Sequence, residues 1–190
     1  MVKRAEVLGV SLLSDGRFRL TRTRAEVEED DGDIRRFEYE IYHHKGAAAV
    51  LPYDPVQGVV LLVRQFRLGA FLATGALALL EAPAGMLDGD APEVCAEREA
   101  MEETGFRVHD LRRAFTYLSS PGSMTETIAC FVARYRPDEP VTSGGGVDAD
   151  ERIERVEMSL DEALARIDSG EICDGKTVAL LYYARTKGLL

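Results

Sequence analysis

GMLDGDAPEVCAEREAMEETGF, residues Gly85 to Phe106, reads as a glycine turn followed by one short helix. Asp90 with Glu93 three positions on has the spacing of a helix-capping pair, and Pro92 is tolerated in a first turn whose N–H groups lack intrahelical partners anyway. The helix is expected from about Ala91 to about Thr104, with Gly105 supplying the left-handed closing residue. Residues three and four apart are neighbours on a helix, so Glu99, Glu102 and Glu103 share one face. Such like charges repel unless Arg98 or a bound cation offsets them, and hard carboxylate oxygens suit Mg²⁺ or Mn²⁺. Taken alone, an acidic helix face is most simply solvated surface.

The flanking residues add more. Arg98, Glu99, Ala100, Glu102, Glu103, Gly105 and Phe106 resemble the second half of the Nudix hydrolase signature G-x5-E-x7-R-E-U-x-E-E-x-G-U, where U is apolar. The first half departs from it: Ala84 falls at the glycine position, one residue before Gly85, and Asp90 replaces the first glutamate. Asp90 can accept from Arg98 or cap the helix, so the change reads as structural. VRQFR at Val63 to Arg67, EAPAGMLD at Glu81 to Asp88, SPGSMTE at Ser119 to Glu126, GGGVDADERIE at Gly144 to Glu154 and DGKT at Asp174 to Thr177 extend the resemblance. Together they are similar to the nucleoside-diphosphate-sugar branch, which contains ADP-ribose pyrophosphatases and GDP-mannose hydrolases.

The resemblance implies an α+β fold: a Nudix-type α/β/α sandwich with a mixed sheet, preceded by a small antiparallel sheet that commonly helps form a homodimer. It also implies Mg²⁺-dependent cleavage of a diphosphate bridge to a nucleoside monophosphate and a sugar phosphate, with Mn²⁺ as the other candidate cation. The metal set it implies is the Ala84 carbonyl, Glu99, Glu103 and Glu151, with Glu102, Glu103, Glu151 and Glu126 as the catalytic carboxylates. Substrate contacts are expected at Arg67, Gly85, Met86, Glu126, Asp150 and Lys176, and in the first sheet at Arg17, Glu38, Tyr39 and Glu40. In the GDP-mannose pattern an aromatic residue is expected where Arg17 stands and basic residues where Glu38 and Tyr39 stand; only Glu40 agrees. ADP-ribose is therefore the alternative substrate, and Pro121, fifteen residues beyond Phe106, does not choose between the two.

Each residue has a plainer reading beside this one. Arg64 and Arg67 alternate at a strand end, where arginines are commonly exposed ion-pair partners. A guanidinium at Arg67 also offers fork-shaped donors to a diphosphate. Glu126 after its turn, and Lys176 on the last helix, are otherwise solvated. The three glycines Gly144 to Gly146 followed by Asp148, Asp150, Glu151 and Glu154 read as a flexible acidic linker, or as a loop that brings a carboxylate to the water side of a reaction.

The 190 residues carry a formal charge of −10, unfavourable for nucleic acid but compatible with a small phosphorylated substrate whose site holds divalent ions. Apolar residues make up 46% of the chain, enough for a packed core. Cys95, Cys130 and Cys173 are scattered, which argues against a disulfide framework or zinc site and fits a reducing cytoplasm. No apolar run suits a signal peptide or a membrane span, so a soluble protein is expected. A catalytically silent nucleotide-sugar sensor is the other class of answer, but such regulators usually append a DNA-binding helical domain, for which no room is expected before Leu190.

Two domains are expected: 1–44, where FRLTRTRAEV and IRRFEYEIY alternate around the acidic turn Glu28 to Asp33, and 45–190. Strands are predicted in the second at Ala47–Leu51, Val59–Phe66, Leu79–Pro83, Ala114–Leu118, Thr127–Tyr135 and Ile153–Met158. After the acidic helix, two more helices are predicted, capped by Ser159 and Asp174.

Overall fold

The computed structural model describes residues 1–147 and 152–190. Two compact units are present: Met1–Lys45 with Leu118–Thr127, and Gly46–Tyr117 with Ile128–Leu190.

The first unit is an antiparallel sheet of β1 (Val2–Asp15), β2 (Arg19–Glu29) and β3 (Ile34–His43), in that order. Segment Leu118–Thr127 joins it through backbone bonds at the end of β3, where Tyr42 donates to Ser123 O (2.8 Å) and Thr125 donates to Tyr42 O (3.2 Å). Alternation gives this sheet its register but little core: Thr21 is its one buried residue, while Val7, Val10 and Leu12 remain more than half exposed.

The second unit is built on a mixed sheet of β4 (Ala47–Asp54), β5 (Val59–Gln65), β6 (Leu79–Glu81), β7 (Ala84–Met86), β8 (His109–Leu118), β9 (Thr127–Arg134) and β10 (Glu154–Ser159). The central order is β10-β5-β4-β9-β8, with β6 beside β5 and β7 beside β4. The β4–β9 pair is parallel, whereas β4–β5, β4–β7, β5–β6 and β10–β5 are antiparallel. Every residue of β4 is buried, and the pleat divides them between two cores. Ala47, Ala49, Leu51 and Tyr53 join Leu160 and Ala163 of α3 (Leu160–Asp168) and Leu180, Leu181 and Ala184 of α4 (Gly175–Thr186). Ala48 and Val50 join Cys95, Ala96 and Ala100 of α2 (Pro92–Thr104), together with Phe106. One helix on one face and two on the other make the α/β/α sandwich that the resemblance implies.

Several local readings hold. Ser159 Oγ accepts from Glu162 N (3.1 Å), Asp174 accepts from Thr177 N (3.1 Å), and Gly105 closes α2 at φ 81°. Others change. The N-cap of α2 is Ala91 with no side-chain cap, because Asp90 turns instead toward Arg98, Oδ2 to Nε 3.6 Å. The expected strand Leu79–Pro83 ends at Glu81 as β6 on β5, and a further, unexpected strand, β7, pairs with β4 just after Pro83, which has no N–H to continue a ladder. A fourth helix, α1 (Leu68–Thr74), lies in the near-uniformly apolar run LGAFLATGALALL, which offers no 3.6-residue periodicity to read, and Gly75 closes it. No helix among the described residues is long and apolar enough to cross a membrane.

Candidate active site

The pairing of β7 with β4 puts Ala84, Gly85 and Met86 beneath α2, and two carboxylates of that helix, Glu99 and Glu103, face the strand. The Glu99 carboxylate occupies the space a side chain at Gly85 would need: a Cβ there would stand 1.9 Å from Oε1. Ala84 N donates to Glu103 Oε2 (3.3 Å), so both carboxylates lie against this strand. Arg98 organises the outer edge, with Nη1 at 2.8 Å from both Glu99 and Glu102 and Nη2 donating to Met86 O (3.4 Å). Burial opposes its charge, but Glu99 and Glu102 hold the Arg98 guanidinium more firmly protonated than usual.

Glu103 differs from its neighbours. It is 4% exposed and forms no ion pair among the described residues. Burial first, and the negative charge of Glu99 second, push its carboxyl up to about 8, against the opposing pull of Arg67 and the Ala84 amide. A buried carboxylate with a second carboxylate beside it and hard oxygen donors around it fits a divalent cation. Among the described residues no group of three or more His, Cys, Asp or Glu side chains is assembled around a metal position. Glu99 and Glu103, with the backbone of Ala84, are the metal candidates found together; Glu151 and Asp150 lie outside the described residues.

The glycine run has a role the linker reading misses. Gly145 N donates to Glu103 O and Gly146 N to Glu102 O, both at 3.0 Å, while Val141 N and Thr142 N reach Gly105 O at 2.8 and 3.1 Å. These donors satisfy carbonyls that a helix end leaves unpaired. Gly144, Gly145 and Gly146 all have positive φ (65°, 103° and 88°), and a Cβ on Gly144 would strike Glu103 O at 2.8 Å. The run is thus a fitted clamp on the C-terminus of the carboxylate helix.

A second charged cluster borders the first. Arg67 grips Glu81 side-on, Nε to Oε1 at 2.8 Å and Nη2 to Oε2 at 3.1 Å. Lys176 Nζ donates to the same Oε2 (2.9 Å) and contacts Asp174 Oδ2 (3.0 Å). Thr177 Oγ1 donates to Asp174 and accepts from Ala82 N (2.7 Å), tying the end of β6 to α4. Burial alone would raise the Glu81 carboxyl, yet Lys176 and Arg67 bring it below the ordinary range. Burial likewise works against the charge of Lys176, but Glu81 and Asp174 raise its pKa. Glu81 was not among the residues singled out from sequence. Its signal is a lone charge ending the apolar run LALL before APAG.

The remaining candidates belong to the first unit. Glu38 and Glu40 flank Arg22, at 3.7 and 3.2 Å, and Tyr39 on the opposite face stacks on Phe37 with centroids 5.9 Å apart. Arg17 lies over the Phe18 ring. Glu126 is not solvated as a lone glutamate after a turn would be: it is largely buried, with His44 Nδ1 at 2.8 Å from Oε1.

Comparison with known proteins supplies the context for this geometry. Residues 43–181 match the NUDIX domain. The chain is 39% identical over 191 residues, covering all of both chains, to the GDP-mannose pyrophosphatase of Escherichia coli O9:H4 (strain HS), and equally to that of Shigella boydii serotype 4 (strain Sb227). Its fold is similar to a crystal structure of an ADP compounds hydrolase, with TM-score 0.77, 20% identity, and coverage of 100% of this chain and 97% of that one.

Proposed function

The chain belongs to the NUDIX family, and we propose that this enzyme hydrolyses the diphosphate bridge of GDP-mannose or a similar sugar nucleotide, releasing a nucleoside monophosphate and a sugar phosphate. The observation that carries the reading is the buried Glu103 carboxylate beside Glu99 against β7, in a chain that aligns end to end with GDP-mannose pyrophosphatases.

Glu99, Glu103 and the Ala84 carbonyl would hold Mg²⁺, or Mn²⁺ in its place, and Glu151 would complete the set. Bound there, such a cation would neutralise the diphosphate and lower the pKa of water. Arg98 keeps Glu99 and Glu102 in place by ion pairs on the outer side. Arg67 has its side chain 43% exposed with one edge of the guanidinium committed to Glu81, so the other edge is free to donate to a phosphate oxygen. Lys176 offers its remaining proton to the same anion, while Gly85, Met86 and Asp150 line the substrate. In the reaction a water oxygen bonds to one phosphorus as the P–O–P bond breaks. The water's proton passes to a carboxylate, with Glu151 the first candidate and Glu102 and Glu126 the others, and the leaving phosphate departs with the bridging electrons. Arg17, Glu38, Tyr39 and Glu40 read the nucleoside. Because Arg17, Glu38 and Tyr39 depart from the GDP-mannose pattern, ADP-ribose is the second reading.

A homodimer through the first unit accounts for its sheet, since three strands with one buried side chain lack the apolar burial that independent stability needs. Two of the three cysteines are buried and all are free, in keeping with a cytoplasmic protein.

The test is product analysis with Mg²⁺ and, separately, GDP-mannose, ADP-ribose, ADP-glucose and a dinucleoside polyphosphate, beside Glu103→Gln. Metal-dependent release of monophosphate from a sugar nucleotide, lost in the variant, is expected. Silence across the panel would instead favour a sensor.

A further inference from the structure

We infer that Glu81 is a positioning residue for substrate binding: its single buried carboxylate aligns Arg67 and Lys176 as a paired cationic grip on the diphosphate. The inference rests on the function proposed above.

The geometry is specific to a carboxylate. Oε1 accepts from Arg67 Nε, while Oε2 accepts from both Arg67 Nη2 and Lys176 Nζ. All three donors are thereby arranged around one group that is 3% exposed, at the end of a strand anchored to α4 by the Thr177 to Ala82 bond. A side-on fork fixes the guanidinium plane, which a single contact does not. Lys176 is held between two carboxylates, its side chain 11% exposed, so its direction is set before any ligand arrives. Arg67 lies two residues past the end of β5 and its side chain remains partly exposed, so without the fork its long side chain would sample several rotamers, and ordering it would be charged against binding.

An amide at this position cannot keep the arrangement. Whichever way Glu81→Gln turns, its NH₂ meets a cationic donor, either Arg67 Nε or the pair Arg67 Nη2 and Lys176 Nζ. Mere pinning of β6 to α4 predicts a different outcome, a loss of folded protein with binding unchanged in what folds.

The experiment is a double-mutant cycle of Glu81→Gln with Arg67→Ala in the full chain. It reads steady-state KM and kcat with Mg²⁺ and GDP-mannose, and the Kd of GDP-mannose by calorimetry in EDTA. Glu81→Gln alone is expected to raise KM and Kd about tenfold with kcat within about threefold of wild type. In the Arg67→Ala background it should add less than about twofold, because the positioned group is already gone. Should Glu81→Gln not fold, Glu81→Asp takes its place in the cycle; its shorter side chain keeps the charge but withdraws the fork, and a smaller rise with the same non-additivity is expected. Effects that multiply in full, or a fall in kcat with KM and Kd unchanged, would overturn the inference while leaving an active wild type and the proposed function intact. A wild type that neither binds nor cleaves any sugar nucleotide would overturn both.

Discussion

Two charged clusters, each centred on one buried carboxylate, Glu81 or Glu103, lie side by side in the second unit, and they are balanced in opposite ways. Arg67, Glu81, Lys176 and Asp174 alternate in sign and satisfy one another through contacts of 2.8 to 3.1 Å. Glu99 and Glu103 share one sign around β7, and the only arginine paired with them by contact, Arg98, reaches Glu99 but not Glu103 among the described residues. Burying charge costs several kcal/mol per ion unless it is paired. The first cluster brings its own counterions and is set before ligand arrives; the second is completed from outside, which is how a cation site differs from a structural ion-pair network.

The contrast can be broken most severely at Glu103. Glu103→Gln removes the buried charge that would hold the cation and should lower kcat by about three orders of magnitude or more, measured by monophosphate release at saturating Mg²⁺. A variant with near-normal turnover would move the metal site elsewhere. In the balanced cluster, Lys176→Met removes the cation that Asp174 shares with Glu81, leaving Glu81 Oε2 with Arg67 Nη2 alone. It should cost about 3 kcal/mol of stability in urea unfolding, whereas Glu103→Gln should cost none in the absence of metal.

The pH dependence of the metal-free protein sharpens the same difference. The folded Glu103 carboxyl is raised from 4.5 to about 8, so its contribution to stability is fully present below the unfolded value and is lost as pH rises through the folded one. In EDTA the melting temperature should therefore fall between these values by on the order of 5 °C more than in Glu103→Gln, and added Mg²⁺ should restore it at the alkaline end. A melting curve with the same pH slope in both proteins would contradict the raised carboxyl. The smallest effect is expected at Glu102, which already has Arg98 as its partner: Glu102→Gln should lower kcat only about tenfold, well short of the Glu103 variant.

What could be read in advance followed local rules. The i, i+3, i+4 spacing put Glu99, Glu102 and Glu103 on one face, and Gly105, Ser159 and Asp174 act as the helix ends their chemistry suggests. What could not be read depends on partners distant in the chain. Asp90 has the spacing of a cap, but Arg98 competes for it. Gly144 to Gly146 have the composition of a linker, yet the N–H groups of Gly145 and Gly146 meet helix carbonyls some forty residues earlier. Helix α1 buries none of its residues, so no amphipathic stripe marks it.

The amino-acid sequence by itself determined the family, the class of fold and the carboxylates offered to a cation, because these rest on residue type and short-range spacing along one helix. Tertiary structure alone decided which of those carboxylates has no counterion among the described residues. That depends on β7 crossing to β4 beneath α2, which buries Glu103 beside Glu99, and on β6 meeting α4, which gives Glu81 two cations. Burial and charge pairing are properties of neighbours in space, and here the decisive pair, Glu81 and Lys176, stand 95 residues apart in the chain.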